Sequence, residues 1–328
     1  MNLSNRNNLN QERRLSKFNN IFARRDFQLG VIILIGCTFL SLTSNFLTFG
    51  NVKALLLGFS LDAIVVIGMT ILFTSGSFDL SVGSVFGLGG IVASLLLQAK
   101  VNSVLAIILG ILSGTLVGLI NGLLVTKIGI NPLIATLGML GIVRGIVLVI
   151  TRGSGIAGLP SSFTAVGQTM FLGLQLPIWI MFVFIIIFHF LLNDSKFFRQ
   201  YYFIGGNEKA AILTGINVVR LKIISYVICS TLAALAGVLF TARIGASTVT
   251  NGQGMELIMI SAAVIGGCSL AGGEGSIFGS FLGIMLLALI TNAFNLFGFS
   301  IYWQRIVSGF ILIAAISTDA IIRKRREM

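Results

Sequence analysis

The stretch that decides the fold is residues 54–98, ALLLGFSLDAIVVIGMTILFTSGSFDLSVGSVFGLGGIVASLLLQ. It holds only two charged side chains, Asp62 and Asp79. A helix crossing the hydrocarbon of a bilayer needs about 20 apolar residues. The runs on either side of SGSFDLS are each close to that length, and Asp79 marks a break before the second. Two such runs in succession do not fit a water-soluble core, whose surface must carry far more charge.

The rest of the chain repeats this pattern. Of 328 residues, 56% are hydrophobic and 10% are charged, against roughly 25% charged in a soluble domain. A soluble enzyme, a disordered protein and a disulfide scaffold are excluded, which leaves an all-α polytopic membrane protein. Apolar segments fall at 29–49, 52–74, 82–98, 103–126, 131–151, 172–193, 221–244, 255–271, 276–297 and 302–321. They predict ten spans, or eight if the short, glycine-flanked third and eighth are half-helices. The organisation is then a polar tail over 1–28, a membrane domain over 29–321 with a polar loop at 194–220, and a basic end at 322–328.

The net charge of +12 would suggest nucleic acid in a soluble protein. Here the cations gather at membrane edges instead, so no nucleic-acid partner is expected. Arg6, Arg13, Arg14, Lys17, Arg24 and Arg25 precede the first span, and Arg323, Lys324, Arg325 and Arg326 follow the last. Lys196, Arg199, Lys209, Arg220 and Lys222 lie in or beside the 194–220 loop. Loops rich in Lys and Arg stay in the cytoplasm, so both termini and this loop are expected there, and the number of spans must be even.

Glycine numbers 39 and proline three. Gly110, Gly114, Gly118 and Gly122 recur every four residues, as do Gly275, Gly279 and Gly283. That period lays them along one helix stripe where a neighbouring backbone can approach. The stretch 78–87, FDLSVGSVFG, echoes 269–279, SLAGGEGSIFG, which points to a possible internal repeat.

Few groups can carry chemistry. Gly153 to Gly158 fits G-x-G-x-x-G, but it follows a span and no acid occurs from Leu159 to Asn193, so a dinucleotide site is rejected. No phosphate-binding loop occurs, and no His, Cys and acid cluster suggests a metal; no cofactor is expected. His189 and the three cysteines read as packed residues. A charge or amide within a span is costly and therefore a candidate for the solute path. These are Asp79, Asn121, Asn131, Arg144, Asn292 and Asn295, with Asp62 the one fair candidate for an ion-coupled carrier. Neutral amides suit uncharged, hydroxylated solutes, because they donate and accept without attracting ions. In the polar loop, Gly205, Gly206, Asn207, Glu208, Ala210, Ala211 and Gly215 stand out. Glu208 to Leu213 has helix-forming composition and Gly215 can stop it. A short helix between two spans on the basic side is a docking element.

At this loop the chain resembles the permease subunits of ABC importers of the ribose-type monosaccharide family, whose pattern GGN-x-x-A-A-x-x-x-G-I is matched from Gly205 to Ile216. Three more motifs match in order: Gly76 to Ser84, Asn131 to Gly138 with Arg144-Gly145, and Gly266 to Gly275. Ser77-Phe78, Cys268 and Glu274 depart from the family pattern, and the loop lacks the downstream proline of the wider EAA loop. The resemblance implies a permease in a bacterial cytoplasmic membrane, with no ATPase site of its own. It would work with a second permease subunit, ABC ATP-binding subunits on the cytoplasmic side and a periplasmic or lipoprotein sugar-binding protein. Gly205 to Gly215 would grip the ATPase. Ribose, galactose, xylose, rhamnose and autoinducer-2 all use such permeases, and Gly158-Leu159-Pro160 resembles the rhamnose and autoinducer-2 branch.

The charge pattern makes one prediction. Single cysteines at Gly153 and Asn193, in a background without the native three, will react with an impermeant thiol reagent from opposite sides of the membrane. Labelling of both from the outside contradicts the ten-span topology.

Overall fold

The computed structural model describes residues 25–43 and 45–327, so most of the expected tail over 1–28 lies outside the described residues. The helices are α1 (Arg25–Ser41), α2 (Phe49–Thr74), α3 (Val82–Gln98), α4 (Ser103–Leu123), α5 (Pro132–Thr151), α6 (Ser161–Gln168), α7 (Leu176–Asp194), α8 (Lys196–Gly206), α9 (Glu208–Leu213), α10 (Val218–Ile244), α11 (Met255–Ile265), α12 (Ile277–Leu296) and α13 (Ile301–Glu327). Four two-residue strands, β1 (Ile156–Ala157), β2 (Met170–Phe171), β3 (Leu174–Gln175) and β4 (Ala246–Ser247), pair as β1–β4 and β2–β3.

Local chemistry sets the ends. Side chains of Thr48, Asn102, Asn131, Asn217 and Ser276 accept from backbone N–H groups one turn in, capping α2, α4, α5, α10 and α12. Pro132 opens α5, where its missing N–H costs nothing. α4 runs on through a π-helical turn to Ile128, and Gly129 ends it at φ 82°. The expected sixth span begins late, because Leu172 and Gly173 take positive φ and fold 170–175 into a hairpin before α7.

Among the described residues, six helices are long and apolar enough to cross a membrane: α2, α4 with its extension, α5, α7, α10 and α12. α3 and α11 are shorter, at 17 and 11 residues. The chain is a polytopic membrane protein. α2 and α10 lie mostly inside the bundle, and α4, α5 and α7 expose most of their length.

Contacts sort the helix ends onto two faces. On one, α8 and α9 lie with Thr74 at the end of α2, with the α11–α12 connection, and with the start of α1, where Asp26 sits beside Gly279. On the other, Asn51 in α2 pairs with Asn292 in α12, Ser103 in α4 bonds Ser162 in α6, and β1 after α5 pairs with β4 after α10. The first is called the lever face below.

The glycine stripes are packing surfaces. Down α4, a Cβ at Gly110 would lie 3.0 Å from Val238, at Gly114 2.9 Å from the Ser230 carbonyl, at Gly118 2.6 Å from the Tyr226 carbonyl, and at Gly122 2.9 Å from the Ile223 Cα. Four successive turns of α4 therefore meet α10 with no room for a methyl. The second stripe does the same between α12 and α11: Gly279 meets the Gly266 carbonyl and Gly283 the Ala262 carbonyl. Lipid tails are as apolar as leucine, so helices in a bilayer associate by close contact of this kind.

Gly114→Leu will force α4 from α10 and cost about 1–3 kcal/mol or more by overpacking, read as a loss of folded protein in a detergent thermal-shift assay. Gly138→Leu on α5, where nothing lies within 4 Å of a Cβ, will leave the melting point unchanged.

Candidate functional site

The 194–220 loop folds as two helices at an angle. α8 ends at Gly206, Asn207 turns the chain at φ −158°, ψ 99°, and its side chain accepts from the Ala210 N–H to start α9. α9 spans Glu208–Leu213 as its composition predicts, and Gly215 at φ 82° ends the turn. Glu208 is held at home: its carboxylate is 2.7 Å from the Lys222 ammonium. Ala211 is buried and Ala210 is exposed. Three large apolar side chains stand outward among the polar ones: Leu213 is 87% exposed, Phe203 61% and Ile212 56%. Lys209 and Arg220 stand exposed nearby in the chain. In water such an apolar group, rimmed by cations, marks a contact surface.

The inner side of this lever is fastened to both breaks in the membrane helices. Gly205 packs on the Thr74 carbonyl and the Gly273 N–H, so closely that no Cβ fits. Gly273 N donates to the Thr74 carbonyl at 3.2 Å. A Cβ at Gly272 would lie 2.7 Å from the Gly76 Cα and 2.9 Å from the Gly205 Cα. Three backbones thus meet: the end of α2, the α11–α12 connection and the end of α8. Tyr202 adds a side-chain tie, its hydroxyl donating to the Gly275 carbonyl at 2.8 Å. Burial, with the Cys268 thiol adding to it, pushes this phenol up to about 12, so it remains a donor at neutral pH.

Asp79 and Asn121 come together in the interior, and both are fully buried. Asp79 accepts from the Ser81 N–H at 2.7 Å, the Ser81 hydroxyl at 2.6 Å, the Asn121 amide at 3.2 Å and the Ser230 hydroxyl at 3.4 Å. It joins the α2–α3 break to α4 and α10. Asn121 Oδ1 is left without a partner. Asp62 interacts electrostatically with Arg243, whose guanidinium also donates to the Leu57 carbonyl at 3.0 Å.

The other expected path residues are apart from these. Asn131 caps α5 and is exposed. Asn292 exchanges two hydrogen bonds with Asn51, and Asn295 accepts from Gln304 at 2.8 Å. Arg144 reaches from α5 to the segment after α10, donating to the Val249 and Asn251 carbonyls at 2.9 Å each. Two features escaped the sequence reading. Tyr202 carried no signal beyond its aromatic run. The polar string 247–253, STVTNGQ, passed as an ordinary loop, although so dense a run of hydroxyls and amides between two apolar segments was a signal. Among the described residues, no group of three His, Cys, Asp or Glu is placed to hold a metal ion.

The fold and these sites define a membrane permease: a bundle of apolar helices with interrupted spans, and no soluble domain among the described residues. The chain belongs to the branched-chain amino acid transport system / permease component family, whose model matches residues 51–316. It is 38% identical over 283 residues to the ribose import permease protein RbsC of Escherichia coli K12, covering 85% of this chain and 88% of that one. With RbsC of Bacillus subtilis it shares 37% over 313 residues, 95% and 97% of the two chains. With the L-arabinose transport system permease protein AraH of Escherichia coli K12 it shares 38% over 308 residues, 93% and 94% of the two chains. No solved structure matches the chain significantly.

Asp79→Ala strands up to four donors, and a stranded buried donor costs about 1–3 kcal/mol. The variant will melt well below the parent in detergent. Asp79→Asn, which keeps one acceptor oxygen, will lose clearly less. Equal melting points for all three proteins contradict a structural role.

Proposed function

We propose that the chain is the membrane-spanning permease subunit of an ATP-driven ABC importer for a monosaccharide of the ribose or arabinose type. The observation that carries this reading is the lever: an exposed apolar tip at Phe203, Ile212 and Leu213, whose opposite side is locked backbone-to-backbone to the broken spans. A tip so exposed needs a partner, and a lever so fastened moves the spans when its partner moves it. The relatives named for ribose and L-arabinose favour a pentose over rhamnose or autoinducer-2.

In this reading the chain crosses ten times. The lever face is cytoplasmic, because its loop carries the cations, and both termini lie on that side. Gly205 meets Thr74 and Gly76, just before the stretch 78–87, and Gly272 and Gly273 within the stretch 269–279 that echoes it, which supports an internal repeat. ATP-binding subunits dock on α9, a second permease subunit completes the path, and a sugar-binding protein delivers solute to the other face. Closure of the ATP-binding pair drives α8 and α9 together with the ends of α2 and α11, switching access from one side to the other. The docking role of Gly205, Gly206, Asn207, Glu208, Ala210, Ala211 and Gly215 divides. Gly205 and Gly206 form the rear junction, Asn207 and Gly215 shape α9, Ala211 and the Glu208–Lys222 pair seat it, and Ala210 stands with the exposed tip. Of the path residues, Asp79 and Asn121 hold the first break, and Arg144 holds the segment between α10 and α11. Asn131, Asn292 and Asn295 hold helix ends around the path.

The test separates tip from junction. Leu213→Asp, an exposed change, will leave the permease folded but abolish co-purification of the ATP-binding subunit and sugar-stimulated ATP hydrolysis together. Tyr202→Phe will keep the complex and its ATP hydrolysis while lowering sugar moved per ATP. Normal binding and transport in Leu213→Asp contradict the docking assignment.

A further inference from the structure

We infer that the non-helical segment 245–254 lines the solute path at membrane depth and offers its side chains to a neutral, polyhydroxylated solute. The inference rests on the sugar-permease reading and deepens it by naming a solute-facing site.

The depth follows from what the segment touches. α10 ends at Ile244 on the face opposite the lever, and β4 pairs there with β1. The chain then descends along α3, whose end at Gln98 lies on that same face. A Cβ at Gly90 would lie 3.3 Å from the Ser247 hydroxyl, and one at Gly87 would lie 2.8 Å from the Asn251 carbonyl. Gly83 is in contact with the Gly252 carbonyl. At 1.5 Å per residue, Gly90 lies about 12 Å and Gly83 about 22 Å below Gln98. The hydrocarbon is about 30 Å thick, so the chain reaches past its middle before α11 begins at Met255.

Non-helical backbone at that depth is tolerated only where protein buries it or where it lines water. The backbone here is satisfied from within the chain. Arg144 takes the Val249 and Asn251 carbonyls, Asn251 N donates to the Thr248 carbonyl, and Gln253 N donates to the Thr250 carbonyl. The side chains face outward: Thr248, Thr250 and Gln253 are exposed, although Thr248 shares a hydrogen bond with Thr250 and donates to the Asn251 side chain. Among the described residues, the Gln253 amide has no hydrogen-bond partner. Facing lipid, an unpartnered amide costs several kcal/mol by the hydrocarbon scale (about 4–8). Facing water or a solute it costs nothing of the kind. Hydroxyls and amides that both donate and accept match a sugar's hydroxyls, and none of them attracts an ion. The charged groups beside the segment are engaged within the chain: Arg144 donates to backbone carbonyls and interacts electrostatically with Glu256, whose carboxylate lies against Gly83, and Arg243 donates to the Leu57 carbonyl.

The test uses single cysteines at Thr250, Gln253 and the outward-facing Leu116 of α4, in a chain lacking Cys37, Cys229 and Cys268 and assembled with its partner subunits in vesicles. The probes are an impermeant methanethiosulfonate reagent and uptake of radiolabelled D-ribose and L-arabinose. Positions 250 and 253 will react about tenfold faster than 116, because a thiol must reach water to react, and their modification will block D-ribose uptake. If D-ribose is transported and both positions resist the reagent, or react without effect on uptake, the inference is overturned. If both positions react but the unmodified assembly takes up neither sugar, the segment is water-lined as inferred and the sugar assignment fails instead. Gln253→Ala, unmodified, will lower D-ribose uptake without lowering the melting point; unchanged uptake counts against the inference.

Discussion

Contact of backbone on backbone, permitted only by glycine, is the constraint on which this structure depends. In water a helix bundle is driven together by burying apolar surface; in a bilayer the lipid competes for that surface on equal terms. What remains is proximity, and this chain obtains it at the α4–α10 ladder, at the α11–α12 stripe, at Gly83 against Gly252 and at the meeting of Gly76, Gly205 and Gly272. The first two hold helices in fixed register. The last two set the start of α3 and the end of α8 against the non-helical stretches beside them.

Polar groups then fix what the glycines bring close. Asp79 ties the first break to α4 and α10, and Arg144 ties the segment after α10 to α5. Each spends its hydrogen bonds inside the protein, as hydrocarbon requires. Asp79 does so with neutral donors and Arg144 with carbonyls, and Arg144 also interacts electrostatically with Glu256. The first break and the segment after α10 differ in entry. The chain reaches α3 through 75–81 from the lever face, whereas it reaches α11 through 245–254 from the opposite face. The two meet at Gly83 and Gly252.

Much of this was legible in the sequence, and the reasons are specific. Period-four glycine predicted the stripe on α4, because spacing along a helix is a local property. The Glu208–Leu213 helix was legible from its composition and from Gly215. Where side chains point was not. Glu208, read as a group for a partner, pairs with Lys222, 14 positions away, and Ala211, read as part of a docking face, is turned inward. Asp79 and Asn121 were singled out as costly polar residues for the solute path, but cost alone does not separate a residue that lines a path from one that pins the helices around it. The segment 245–254 was missed because turn-forming composition reads as loop wherever it occurs. Only its contacts with Gly87 and Gly83 show that it runs along α3.

The account holds that movement of solute is driven through the lever by ATP-binding partners and by nothing else. The most direct measurement is uptake of D-ribose into proteoliposomes holding the assembled permease, with its sugar-binding protein on the outside and ATP or no nucleotide trapped within. Uptake is predicted to require ATP and to persist when ionophores collapse the proton and sodium gradients. Uptake without ATP that vanishes with the ionophores would make the chain an ion-coupled carrier and contradict the account.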